Sequence, residues 1–275
     1  MNLDIRLIAT DVDGTILPHG GVFSEATRLA VRRCRERGIP FVVDSGRWIG
    51  ALEGVLHDLG ADDQPVIVAG GGAVIAPGGA VLHEWTMRDE DVRAVYDVMR
   101  RYDVVIISYV RGGVYRINTA ALPDMIKKYL AGKDPRVVND DLRAFEREGL
   151  RAVYKLEAIT DDKPVIAELR RALARETEAV VSGAFWNNTE VVSPGMGKGV
   201  ALRWLAKHLG VAPDQCMAFG DHTNDLDMLQ AVGWPVAVGN AVPELKAYAR
   251  IIAPPDAEDG VARTIFERVL GEEMP

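Results

Sequence analysis

Two carboxylates one residue apart, Asp11 and Asp13, sit in the stretch Asp11-Val12-Asp13-Gly14-Thr15, directly after a short apolar run at 5–10. Such a pair can divide labour, one acid serving as nucleophile or metal ligand and the other as general acid and base. Asp-x-Asp-Gly also occurs in ordinary turns. A calcium loop of the EF-hand kind would need Asp or Asn at Thr15 and Glu at Val22, and the chain has neither. Three further stretches have chemical potential. Gly220-Asp221-His222-Thr223-Asn224-Asp225 follows another apolar run. Carboxylates from two strand ends in one crevice make an oxygen-ligand site suited to Mg²⁺, although Asp and Asn at a helix start also act as N-caps. Lys198, in Gly195-Met196-Gly197-Lys198-Gly199, stands at an expected helix start where it can neutralise a phosphoryl oxygen, although an ordinary surface lysine is the commoner reading. Ser45-Gly46 offers a hydroxyl and a backbone N–H suited to phosphate, or simply to capping. A P-loop reading of the glycines around Lys198 fails, since it needs Gly at Val192 and Ser or Thr at Gly199.

The elements that must position these residues alternate between strand and helix. Strands are expected at 5–10, 39–44 and 66–69, with helices at 25–37, capped by Ser24, and from Arg47 to about Leu59. A hairpin at 73–82 turns on Pro77-Gly78-Gly79. From His83 the pattern loosens: helices are expected at 88–101, 122–130, 140–148 and 164–175, and strands at 104–110, 114–117, 151–160, 179–182 and 190–193. Strict alternation returns after Ser193, with helices at 197–208, 224–232, 243–248 and 258–270 and strands at 216–219, 235–238 and 251–253. This predicts an α/β fold: a Rossmann-like, doubly wound parallel sheet core at 1–82 and 193–275, interrupted by an inserted α/β cap at 83–192.

Composition narrows the function. The chain has 275 residues, enough for about two domains, and its hydrophobic content of 48% and charged content of 26% suit a globular protein. A net charge of −8 without a basic stripe argues against a nucleic-acid partner. An anionic substrate must then be held by local cations and metal, not by the overall field. Cys34 and Cys216 have no metal or redox spacing and read as small buried residues of a reducing, cytoplasmic setting. No signal peptide is expected, and the uncharged run at 65–82 is broken by glycines and prolines, so no membrane span is expected either.

Taken together, Asp-Val-Asp-Gly-Thr, Ser45-Gly46-Arg47, Lys198 and Gly220-Asp221-x-x-Asn224-Asp225 resemble the four motifs of the haloacid dehalogenase superfamily. Within it the chain is similar to the Cof-like phosphatases, which carry a large α/β cap between the second and third motifs. The resemblance implies that Asp11 is the nucleophile and Asp13 the acid and base. It implies that Asp11, the Asp13 backbone carbonyl and Asp221 hold Mg²⁺ with support from Asp225 or Asn224, and that Ser45, Gly46, Arg47 and Lys198 bind phosphate. A small phosphorylated metabolite is the implied substrate, handled by a monomer or homodimer. The inserted unit is expected to be a mobile lid that chooses the substrate, with Trp186, Asn188 and Glu190 reaching it. Two departures stand out: Asp44, expected to pair with Arg47, and His222, which contacts a leaving group or nothing. The alternatives are a sugar phosphomutase of the same superfamily and a non-catalytic module that binds phosphate or metal.

Overall fold

The computed structural model describes residues 3–18, 20–118, 137–139, 141–183 and 185–275. Two compact units emerge: Met1–Glu84 with Gly197–Pro275, and Trp85–Met196. Among the described residues no helix is long and apolar enough to cross a membrane.

The first unit is built on an eight-stranded sheet. Its strands are β1 (Leu7–Thr10), β2 (Phe41–Asp44), β3 (Val66–Val68), β4 (Ala73–Ile75), β5 (Val81–Glu84), β12 (Cys216–Gly220), β13 (Trp234–Ala237) and β14 (Ile251–Ile252). Their order across the sheet is β14-β13-β12-β1-β2-β3-β4-β5. All pairs from β14 to β3 are parallel, and β4 and β5 return antiparallel as the hairpin. Helices lie at α1 (Glu25–Glu36), α2 (Glu53–Leu59), α5 (Lys198–His208), α6 (Leu226–Gln230), α7 (Pro243–Tyr248) and α8 (Gly260–Thr264). The central strands are buried along their whole length, as expected for parallel strands covered on both faces. Ser24 caps α1 through its hydroxyl, which accepts the Thr27 N–H at 3.0 Å.

The second unit has a six-stranded sheet of β6 (Val105–Val110), β7 (Gly113–Asn118), β8 (Val137–Asn139), β9 (Val153–Ile159), β10 (Val180–Ser182) and β11 (Asn188–Val192), in the order β10-β11-β9-β6-β7-β8. All its pairs are antiparallel except β7 with β8. Helices α3 (Asp89–Met99) and α4 (Lys163–Glu176) bring Val92, Val95, Ile166 and Leu169 against Ile106, Leu156, Ala158 and Val191 to form its core. The helix expected at 122–130 lies outside the described residues. The helix expected at 140–148 starts at Leu142 and changes type along its length, α-helical over Leu142–Ala144 and π-helical over Phe145–Gly149.

Candidate active site

Strand β1 lies between β12 and β2, parallel to both, so the sheet changes direction of winding on either side of it. That switch point is where a crevice opens beyond the strand ends. Asp11 follows β1, Ser45 follows β2, and Asp221 follows β12. The chain leaves β1 through a tight turn: Leu17 N–H donates to the Val12 carbonyl at 2.9 Å, and Gly14 takes φ 79°. The Asn240 side chain ties this turn down, donating to the Gly14 carbonyl at 2.7 Å.

Lys198 enters from the first turn of α5 with a side chain only 2% exposed. Its Nζ donates to Asp11 Oδ1 and to Asp225 Oδ1, each at 2.6 Å. Glycines permit this approach. A Cβ on Gly71 (φ 91°) would stand 2.1 Å from the Gly197 carbonyl oxygen, so the glycine loop after β3 rests directly on the start of α5. A Cβ on Gly199 would meet the Asp227 carbonyl at 2.0 Å, so α5 packs equally closely on its other side.

Asp225 is fully buried and organises its loop. Its Oδ2 accepts the N–H groups of Asp221 (3.0 Å) and His222 (3.2 Å) while Oδ1 takes Lys198. Asp221 Oδ1 accepts the Thr15 hydroxyl at 2.8 Å. Ligand atoms of Asp11, Asp221 and Asp225 all lie within 4.8 Å of one another. Crowding has electrostatic consequences. Burial, and then the carboxylates of Asp225 and Asp221 working against Lys198, push Asp11 well above the ordinary carboxylate range. Asp221 is pushed up to about 7, by burial and then by Asp225. Burial opposes the Lys198 ammonium, but Asp11, Asp225 and Asp44 outweigh it and hold its pKa well above the ordinary lysine value. Mutually repelling oxygen donors of this kind fit a small divalent cation, which would relieve their repulsion.

Ser45 is buried, and its hydroxyl accepts the Arg47 N–H at 3.2 Å. Gly46 lies between them, half-buried. The pairing of Arg47 with Asp44 expected from the sequence is not formed. Arg47 Nε donates to Asp13 Oδ2 at 2.8 Å and its Nη2 donates to Asp13 Oδ1. Asp44 is still a strand residue, paired with Ile67 of β3, and its side chain is committed to the interior. There it is 0% exposed and neither oxygen has a hydrogen-bond partner. The His222 backbone closes the short turn Thr223–Asp225: its N–H donates to Asp225 Oδ2 at 3.2 Å and its carbonyl accepts the Asp225 N–H at 3.0 Å. Asn224 lies in that turn, half-buried.

In the second unit, Asn188 and Glu190 lie on β11 and belong to a buried polar group. Asn188 Nδ2 donates to Glu157 Oε1 (2.8 Å), Lys155 Nζ donates to Glu190 Oε1 (2.8 Å), and the Tyr109 hydroxyl donates to Glu157 Oε2 (2.8 Å). Trp186 is not core: it is 49% exposed, with Lys163 Nζ 4.9 Å from its ring centroid. Both cysteines are free and buried. Burial pushes the Cys34 thiol up to about 12 and Cys216 to about 11, so neither is a nucleophile at neutral pH.

Sequence reasoning missed Thr15, Asn240 and the loop glycine Gly71 as supports of the site. Thr15 lay inside the first motif and could have been found there. The other two carry no local signal, because their partners are distant in sequence.

Residues 8–265 match the haloacid dehalogenase-like hydrolase family. A 5-amino-6-(5-phospho-D-ribitylamino)uracil phosphatase of Bacillus subtilis is 26% identical over 269 residues, covering 98% of each chain. An HMP-PP phosphatase of Cronobacter sakazakii is 28% identical over 244 residues, covering 88% of this chain and 87% of its own. Among solved structures, a haloacid dehalogenase-like hydrolase from B. subtilis superposes with a TM-score of 0.82 at 22% identity, covering 95% of this chain and 99% of that one. With the family match spanning both units and every strand end that carries an acid, the chain belongs to the haloacid dehalogenase-like hydrolases.

Proposed function

We propose that the protein is a Mg²⁺-dependent phosphatase that hydrolyses a small phosphate monoester through a phosphoryl group carried on Asp11. The observation that carries the reading is Asp11 itself, a carboxylate at the switch-point strand end, held by Lys198 at 2.6 Å and facing Asp221 across the crevice. Phosphoryl transfer asks chiefly for positioning and charge neutralisation, and these residues provide both. Asp11 attacks phosphorus as the bond to the leaving oxygen breaks, and Asp13 gives that oxygen its proton. Asp13 then takes a proton from water as the water oxygen bonds to phosphorus and the Asp11–phosphorus link breaks. Lys198 fixes Asp11 and neutralises a phosphoryl oxygen, while the Ser45 hydroxyl and Gly46 N–H orient the phosphate. Asp11, Asp221 and the Asp13 carbonyl, with Asp225 and Asn224 supporting, would hold Mg²⁺, which supplies charge neutralisation at the phosphoryl oxygens when bound.

The substrate is a small phosphorylated metabolite of the kind named for the Bacillus relative, and the inserted unit sets the choice among such esters through residues including Asn188 and Glu190. A phosphate-release screen over sugar, nucleotide and cofactor phosphates, with p-nitrophenyl phosphate as the unselective ester, tests this. Phosphate release should stop with EDTA and return with Mg²⁺. Asn188→Ala and Glu190→Ala should reorder the preferred esters while changing p-nitrophenyl phosphate less. Equal rates with and without chelator would sink the metal-dependent reading. Equal losses on every ester would remove the selectivity claim.

A further inference from the structure

The guanidinium of Arg47 approaches Asp13 as a fork. Nε donates to one carboxylate oxygen at 2.8 Å, and Nη2 donates to the other. Two parallel bonds of this kind fix the direction of a carboxylate as well as its place, which a single lysine contact does not. Arg47 is itself held at several points. Its N–H reaches the Ser45 hydroxyl, its carbonyl accepts the Ala69 N–H at 2.8 Å, and Nη1 reaches the Ala51 carbonyl at 3.4 Å. The pair is not a loose surface contact, because the Arg47 side chain is only 16% exposed and that of Asp13 28%. An exposed ion pair would be worth little. This one joins the loop after β2 to the turn after β1, within the unit that carries the candidate nucleophile.

Nε and Nη2 hold Asp13 and Nη1 reaches the Ala51 carbonyl, so every guanidinium nitrogen already has a protein partner. The occupied fork therefore separates two roles that the motif alone leaves merged. We infer that Arg47 is a positioning residue: it acts on the reaction through Asp13, aiming the acid–base carboxylate, rather than as a direct ligand of the phosphate. This rests on the phosphatase reading above and deepens it. In the first half-reaction the proton passes from Asp13 to the leaving oxygen as its bond to phosphorus breaks. The fork then receives the resulting carboxylate anion in a fixed orientation. In the second half-reaction that same oriented anion takes the proton of the attacking water.

Leaving-group dependence separates the roles. An alkyl phosphate needs its leaving oxygen protonated, whereas 2,4-dinitrophenyl phosphate departs without help. General acid catalysis is worth roughly 10²–10⁴-fold, so a misaimed acid should forfeit a good part of that. Arg47→Gln is expected to lower kcat/KM for the best alkyl ester about 10- to 100-fold more than for the dinitrophenyl ester. Arg47→Lys, which keeps the charge but not the fork, should show the same selective loss to a smaller degree. In an Asp13→Asn background, Arg47→Gln should change kcat/KM for the alkyl ester by less than about twofold, since two residues that act as one do not add. Equal losses on both esters, from a phosphate ligand or from a damaged fold, would overturn the inference, as would full additivity with Asp13→Asn. A wild-type chain that hydrolyses neither ester would overturn the phosphatase reading itself, and the inference with it.

Discussion

Asp44 shows how much one carboxyl can depend on its surroundings. Burial, followed by the neighbouring carboxylates Asp227, Asp225 and Asp11 working against Lys198, pushes it well above the ordinary carboxylate range. A raised acid binds its proton more tightly folded than unfolded. Its contribution is therefore favourable at low pH and is lost as pH rises from the ordinary carboxylate value toward the raised one. Asn has the same shape and does not ionise. Asp44→Asn should then gain stability relative to wild type as pH rises above the ordinary carboxylate range, read as a growing difference in Tm. A wild type that instead gains on Asp44→Asn over that rise would mean Asp44 is ionised and partnered. The sequence placed Asp44 beside the anion site but paired it with Arg47. Residue type and spacing told that an acid was present; they did not tell which face of the strand end it took. The same holds for Asp13, whose partner Arg47 comes from another strand's loop.

At the level of elements, the signals that depend on neighbours in sequence were legible. Ser24 was readable as a cap, and α1, α5 and the central strands fall where apolar periodicity places them. The helix expected at 224–232 is shorter. It opens with a 3-10 turn at Thr223–Asp225, where the Asp225 side chain accepts the N–H groups of Asp221 and His222, and runs as α-helix over Leu226–Gln230. Long-range backbone contact was not legible. Gly70-Gly71-Gly72 reads as an ordinary loop, yet Gly71 is the surface against which α5 delivers Lys198. Gly71→Ala should therefore cost about 1–3 kcal/mol in overpacking, lowering Tm, and should also lower turnover although Gly71 bears no functional group. A variant with unchanged Tm and unchanged phosphate release would show that α5 tolerates the shift and that Lys198 is set from elsewhere.

For the molecule as a whole, alternation that stops near His83 and resumes after Ser193 is the mark of one sheet built from both ends of the chain. The structure joins β1 to β12 directly. The chemistry follows that join. Lys198 and Asp11 are 187 residues apart, and Thr15 and Asp221 are 206 apart, yet each pair shares a hydrogen bond. Their residue types were legible as motifs; their mutual bonds exist only once the sheet is closed. With a net charge of −8, the chain holds an anionic phosphate against its own field, so local contacts at Asp11 carry the account. The direct measurement is acid quenching during turnover of a phosphate ester with Mg²⁺, followed by mass spectrometry of the tryptic peptide 7–28. The account predicts one hydroxylamine-labile phosphoryl group on Asp11, absent from Asp11→Asn, which should also be inactive. Phosphorylation of another residue, or an Asp11→Asn variant that keeps most of its turnover, would contradict it.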